Sequence, residues 1–119
     1  MTRDDVEALI LALPGTERGS AYGMPAFRTA GKFLTRIRDE DHSVVVHLDS
    51  LDERDLLIEM DPETFFFTDH YRNHAMVLAR LETVDPAWLG VMMARRWRKV
   101  APKALQKQHP TLPGEAAGA

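Results

Sequence analysis

Two histidines four residues apart, His70 and His74, stand with Asp69 beside the first. A run of cations follows at Arg95, Arg96, Arg98, Lys99, Lys103 and Lys107. These are the residues whose types and spacing could do chemistry in this chain. A histidine pair at that spacing converges on one metal ion when the segment is helical. Here "DHYRNH" lies between the strand-like runs "TFFFT" and "AMVLARLET". None of His42, His47 and His109 adds an obvious third ligand, so the pair reads as polar loop residues and no metal site is expected. Asp52, Glu53, Asp55, Glu59, Asp61 and Glu63 form an acidic group interrupted by Arg54, which reads as the solvated face of a helix. The chain has no cysteine, which excludes disulfides, a thiol nucleophile and any Cys-based metal or cluster site. Ser20, Ser43 and Ser50 sit in no nucleophile elbow, and there is no glycine-rich phosphate loop. No catalytic residue and no cofactor are expected, and the chain reads as a non-enzyme.

The cations carry the stronger signal. "MARRWRKVAPKALQKQ" (93–108) holds six basic residues and no acidic one, whereas the whole chain has 15 Lys and Arg against 18 Asp and Glu. Residues 1–85 contain nine basic and 17 acidic residues, a net of −8, and residues 86–119 contain six and one, a net of +5. On a helical wheel Leu89, Trp97 and Val100 fall within about 40° of Met93, forming a buried seam. Arg95, Arg98 and Lys99 fall on the opposite side, Arg96 flanks the seam, and Trp88 and Val91 lie on the outer side without an assigned neighbour. Two readings stay open: a solvated face whose cations suit the negative end of the helix dipole, or contacts to nucleic-acid phosphates.

In "KFLTRIR", Phe33, Thr35 and Ile37 alternate with Lys32, Leu34, Arg36 and Arg38, so one face is expected to meet the helices and the other to carry cations. In "VLARLE", Val77, Ala79 and Leu81 are expected inside and Arg80 outside. Arg28 joins the outer set only through its register. A two-residue Ala30-Gly31 loop pairs it with Phe33 on the core side. A three-residue loop with Gly31 left-handed pairs Phe27 with Thr35 and turns Arg28 outward; the hydrophobic pattern favours the longer loop. Pairing of these cations with acids such as Glu82 competes with a phosphate-binding role. The candidate nucleic-acid contacts are therefore Arg28, Lys32, Arg36, Arg38, Arg80, Arg95, Arg98, Lys99 and Lys103.

The elements that must position them are legible. Thr2 and Asp5 cap a helix over 3–13, stopped by Pro14-Gly15. "ERGSAYG" is a weak first strand, and strands are expected near 25–30, 32–38, 43–49, 64–67 and 76–82. Ser50 and Glu53 form a capping box for a helix over 51–60. Asp85-Pro86 opens a helix to 101, which Pro102 ends or kinks, and a short helical piece runs to Gln108. Hairpins of strands with helices between them predict an α+β two-layer sandwich, an antiparallel sheet packed against helices. A single domain over 1–108 is expected, with a disordered tail over 109–119. No run approaches the ~20 apolar residues needed to cross a membrane. "ALILAL" is short and preceded by acids, unlike a signal peptide, so a soluble, cytoplasmic and monomeric domain is expected.

Three stretches, "YGMPAFRTAGKFLTRI", "FFFTDHYRNHAMVLARL" and "WRKVAPKAL", together resemble the MmcQ/YjbR family over roughly residues 3–108. The specific parts are Pro25, Phe27 and Gly31-Lys32-Phe33 in the hairpin, and Trp97 followed by Val100-Ala101-Pro102-Lys103. The resemblance implies a CyaY-like (frataxin-like) fold and a predicted DNA-binding, double-wing role, with no catalytic residues to carry over. The resulting expectation is a non-catalytic module with weak or low-specificity DNA contact. A protein-interaction or regulatory domain docking an acidic partner is the rival, and metal or small-ligand binding a weaker third.

Overall fold

Each of the first three helices begins where the sequence supplies a cap. The Thr2 hydroxyl accepts from the Asp5 amide at 3.1 Å, and the Asp5 carboxylate accepts from the Thr2 amide, opening α1 (Arg3–Leu11). The Ser50 hydroxyl accepts from the Glu53 amide at the start of α2 (Leu51–Met60), while the Glu53 carboxylate reaches back to the Asp49 amide instead of closing the box on Ser50. Asp85 caps α3 (Pro86–Val100) by accepting from the Ala87 amide. After α3 the chain turns extended at Ala101 and re-enters a short helix, α4 (Lys103–Gln108). The Gln106 side chain donates to the carbonyls of Arg98 and Ala101 and so satisfies acceptors left open where α3 ends. The structure, a computed structural model, describes residues 1–21 and 23–115.

The strands are β1 (Thr16–Ala21), β2 (Met24–Thr29), β3 (Lys32–Arg38), β4 (Ser43–His47), β5 (Phe65–Phe66) and β6 (Met76–Arg80). They form one antiparallel sheet in the order β1-β2-β3-β4-β6-β5. The fold is α+β, as the alternation of hairpins and helices predicts. The strand ends fall within two residues of expectation. Tyr22, at the end of the weak first strand, lies outside the described residues.

α1 and α3 cover one face of the sheet. Val6 and Ile10 from α1, the seam Leu89, Met93, Trp97 and Val100 from α3, and Phe27, Ile37, Val44, Val46, Val77 and Ala79 from the strands form one buried cluster. Trp97 is fully buried, and its indole nitrogen donates to the Pro14 carbonyl at 2.8 Å, tying α3 to the turn after α1. Trp88, unassigned by the wheel, stacks edge-on against Phe65 at 4.9 Å, while Val91 is exposed.

Two expectations need correction. The segment after α4 is packed where the sequence predicted a disordered tail. Leu112 is buried in the main core, and Gly114, at φ 92°, lies so close to Gly90 that an added Cβ would come within 2.6 Å of its backbone. One apolar residue in a polar, Pro/Gly-rich stretch gave too little sequence signal for this; residues 116–119 of the predicted tail lie outside the described residues. The sheet face opposite α1 and α3 is also less open than expected. The segment 67–75 folds over it, so that Tyr71 buries against Val45 and Leu78, with Phe66, Phe67 and Met76 around them.

Candidate nucleic-acid interface

The β2–β3 hairpin combines the two alternatives that the sequence set against each other. Thr29 pairs with Lys32 and Arg28 with Phe33, so the loop is the two-residue Ala30-Gly31 turn, with positive φ at both positions (49° and 82°). A register shift follows, and Phe27 nevertheless pairs with Thr35. The extra residue is Leu34. It turns inward beside Thr35 and is fully buried in the helix-side core, while Phe33 turns outward to 36% exposure. The expected alternation therefore fails at Phe33 and Leu34, because a bulge shifts the period by one residue. Arg28 still points away from Phe27. Lys32, opposite Thr29, is separated by the bulge from the face that carries Arg36 and Arg38.

Further along the sheet the cations have partners. Arg38 makes a forked contact with Asp41, at 2.9 Å for the closest pair, and lies over the Tyr71 ring. Burial favours the protonated Asp41 carboxyl, but hydrogen bonds from Arg38 and Ser43 overcome it and hold Asp41 below its ordinary range. Arg36 contacts the Met24 sulfur and faces Glu40 at 3.6 Å. Arg80 donates to the carbonyls of Pro62 and Glu63 and stacks over Phe66 at 4.2 Å, so its partners here are uncharged but fix it in place.

The α3 cations are paired more completely. Arg95 grips Glu53 with both guanidinium nitrogens, at 2.6 and 3.1 Å, and also reaches Asp49 at 3.2 Å. Lys99 bonds Asp49 as well. The Lys99 hydrogen bond, with the Arg95 charge, holds the Asp49 carboxyl below its usual range, and Arg95 does the same to Glu53. Arg98 pairs with Glu115 at 2.7 Å and donates to the carbonyls of His109 and Pro110, pinning the tail. Arg96 has no carboxylate partner among the described residues; it donates to the Leu34 and Phe33 carbonyls at 2.9 and 3.2 Å.

Three of the nine candidates remain without a carboxylate or hydrogen-bond partner among the described residues: Arg28, Lys32 and Lys103. The fold brings their elements together. The Ala30 amide in the hairpin turn donates to the Gly15 carbonyl at 3.0 Å, and Gly15 lies against Leu105 of α4, two residues after Lys103. The turn carrying Lys32, the loop after α1 and the helix carrying Lys103 are thus one neighbourhood.

The other residues singled out for chemistry do not assemble. His70 and His74 are exposed, His70 edge-on to Tyr71, and no group of three or more metal-ligating side chains forms among the described residues. Arg54, which seemed to interrupt the acidic face of α2, is buried instead. It lies over the Phe67 ring at 4.1 Å and donates to the Arg72 carbonyl at 2.8 Å, holding down the segment that covers the sheet. Sequence reasoning missed it because periodicity in a short helix of weak amphipathicity does not mark an inward arginine. Among the described residues no helix is long and apolar enough to cross a membrane.

The YjbR family model matches residues 11–99, and the chain belongs to the MmcQ/YjbR family. No curated protein and no solved structure matches it.

Proposed function

We propose that this member of the MmcQ/YjbR family is a non-catalytic module that makes weak, low-specificity contacts to DNA through the turn of the β2–β3 hairpin and the adjoining start of α4. The observation that carries this reading is the contrast in pairing. Arg28, Lys32 and Lys103 make no ion pair among the described residues, although Glu17 stands opposite Arg28 on β1, whereas Arg38, Arg95, Arg98 and Lys99 are bound to Asp41, Asp49, Glu53 and Glu115. A cation already held by a carboxylate must break that pair before it can displace counterions from a duplex, so it contributes less to binding. The exposed Phe33 beside Arg28 adds an apolar contact at the same turn. The acidic remainder of the chain repels phosphates away from this patch and keeps the affinity low.

The test is duplex binding as a function of salt. Neutralising Arg28, Lys32 and Lys103 together is expected to reduce the log–log salt slope by about 2.7 units, at roughly 0.9 per phosphate contact. Absence of salt-dependent duplex binding by the native protein at low ionic strength ends this reading. Binding to an acidic protein under the same conditions would instead support the protein-docking reading.

A further inference from the structure

A cavity of about 200 Å³ lies between the end of β4 and the last turns of α3, lined by His47, Leu48, Ala75, Arg95, Arg96 and Lys99. It is smaller than the roughly 300–1,000 Å³ that drug-sized ligands occupy. Its lining carries three cations. Arg95 and Lys99 share the two nearby carboxylates, Asp49 and Glu53. The guanidinium of Arg96 bonds only to two backbone carbonyls, so the cluster holds one positive charge in excess. His47 stands across from it, with its ring edge-on to Phe33, and its Nδ1 is buried with no hydrogen-bond partner among the described residues. Arg96 is a half-buried cation without a counter-charge, which a small anion in the cavity would supply, while the His47 Nδ1 is closed to solvent, so any N–H the ring offers the cavity is that of Nε2.

We infer that this cavity binds a small tetrahedral oxyanion of the phosphate class, held between Arg96 and His47. Arg96 supplies the uncompensated charge, and His47 supplies a ring N–H. Asp49 and Glu53 stay engaged with Arg95 and Lys99, so the anion meets no free carboxylate from that pair. The site uses none of the three cations of the proposed DNA contact, although it adjoins that contact through Phe33, which packs on His47. Burial, and then the Arg96 charge, push His47 down to about 3, so the ring is neutral near pH 7. An anion at Arg96 opposes the Arg96 charge with its own and so favours the imidazolium, which couples binding to protonation.

The experiment follows the His47 ring resonances by NMR while inorganic phosphate is added at constant ionic strength, with sodium chloride as the control salt and a short DNA duplex in phosphate-free buffer as a separate arm. Saturable movement of His47 in the millimolar range is expected with phosphate and none with chloride. The His47 titration midpoint should rise by about one pH unit at saturation, equivalent to tenfold tighter binding to the protonated ring. Arg96→Gln should weaken phosphate at least about tenfold. Because Arg96 also holds two β3 carbonyls, His47→Asn is the second variant, read by calorimetry with phosphate, and it too should lose binding. Unmoved His47 resonances, or phosphate binding that survives both substitutions, overturns the inference. Movement with the duplex alone assigns the cavity to nucleic-acid phosphates and overturns it equally. Loss of the duplex salt slope at the hairpin leaves this result untouched, so the two readings fail separately.

Discussion

The C-terminal part of α3 and the β2–β3 hairpin are both basic in sequence, yet the fold treats them in opposite ways. On α3, Arg95, Arg98 and Lys99 reach carboxylates 42, 17 and 50 residues away in the chain, and their apparent excess charge is largely cancelled inside the molecule. At the hairpin, Arg28 and Lys32, on opposite faces of the sheet, make no such ion pair among the described residues. The cations of α3 are balanced by distant carboxylates, whereas of the four hairpin cations Arg36 and Arg38 are paired and the two flanking the turn are not. The hairpin is the better candidate for a polyanion.

Changes that attack the scaffold shared by both regions should have the largest effects. Trp97→Ala removes a fully buried indole and its bond to Pro14, and should cost about 3–5 kcal/mol in chemical denaturation. If the variant keeps native stability, α3 does not sit on the sheet as described. Leu112→Ala should cost about 2–3 kcal/mol, because this side chain belongs to the core. A negligible change would return the segment to the disordered tail its composition suggests.

Acid should act next, through His47. Its folded value of about 3 lies below the ordinary 6.5, so the unfolded chain takes up the proton first as pH falls. The stabilising contribution is complete above about pH 6.5 and is lost on going down toward 3, at up to about 1.4 kcal/mol per pH unit. Asp49, Glu53 and Asp41, all held below their usual range, add losses in the same direction only at lower pH. Between pH 6 and 5 the native protein should therefore lose stability in phosphate-free buffer while His47→Asn stays nearly flat, as measured by urea midpoints.

The smallest effects sharpen the comparison most directly. Replacing Arg95, Arg98 or Lys99 singly by Gln breaks partly exposed pairs and should cost about 0.2–1 kcal/mol each. Arg28, Lys32 or Lys103 to Gln should stay within about 0.5 kcal/mol. Equal costs in the two sets would remove the distinction between them.

Local rules carried most of the fold. The caps at Thr2, Ser50 and Asp85, the stop at Pro14-Gly15 and the seam of Leu89, Met93, Trp97 and Val100 all follow from a few neighbouring residues, so they are legible in one chain. What was not legible depends on contacts between distant segments. The bulge at Leu34 reconciles a two-residue turn with an inward Phe27, and strict alternation offers no way to see it. The burial of Arg54 depends on carbonyls that arrive with the segment 67–75, and the ion pairs of α3 depend on where Asp49, Glu53 and Glu115 come to lie. All nine candidate cations were visible as residue types; which of them keep an unpaired charge became visible only in three dimensions.

The central claim is the hairpin's advantage over the helix, and one measurement bears on it directly. The salt dependence of binding to a single DNA duplex is compared for the native protein, the Arg28→Gln, Lys32→Gln, Lys103→Gln triple variant, and the Arg95→Gln, Arg98→Gln, Lys99→Gln triple variant. Both variants lose three positive charges, so net charge alone cannot separate them. The slope should fall by about 2.7 units in the first and by less than about one unit in the second. Equal losses, or a larger loss from the α3 variant, would contradict the account.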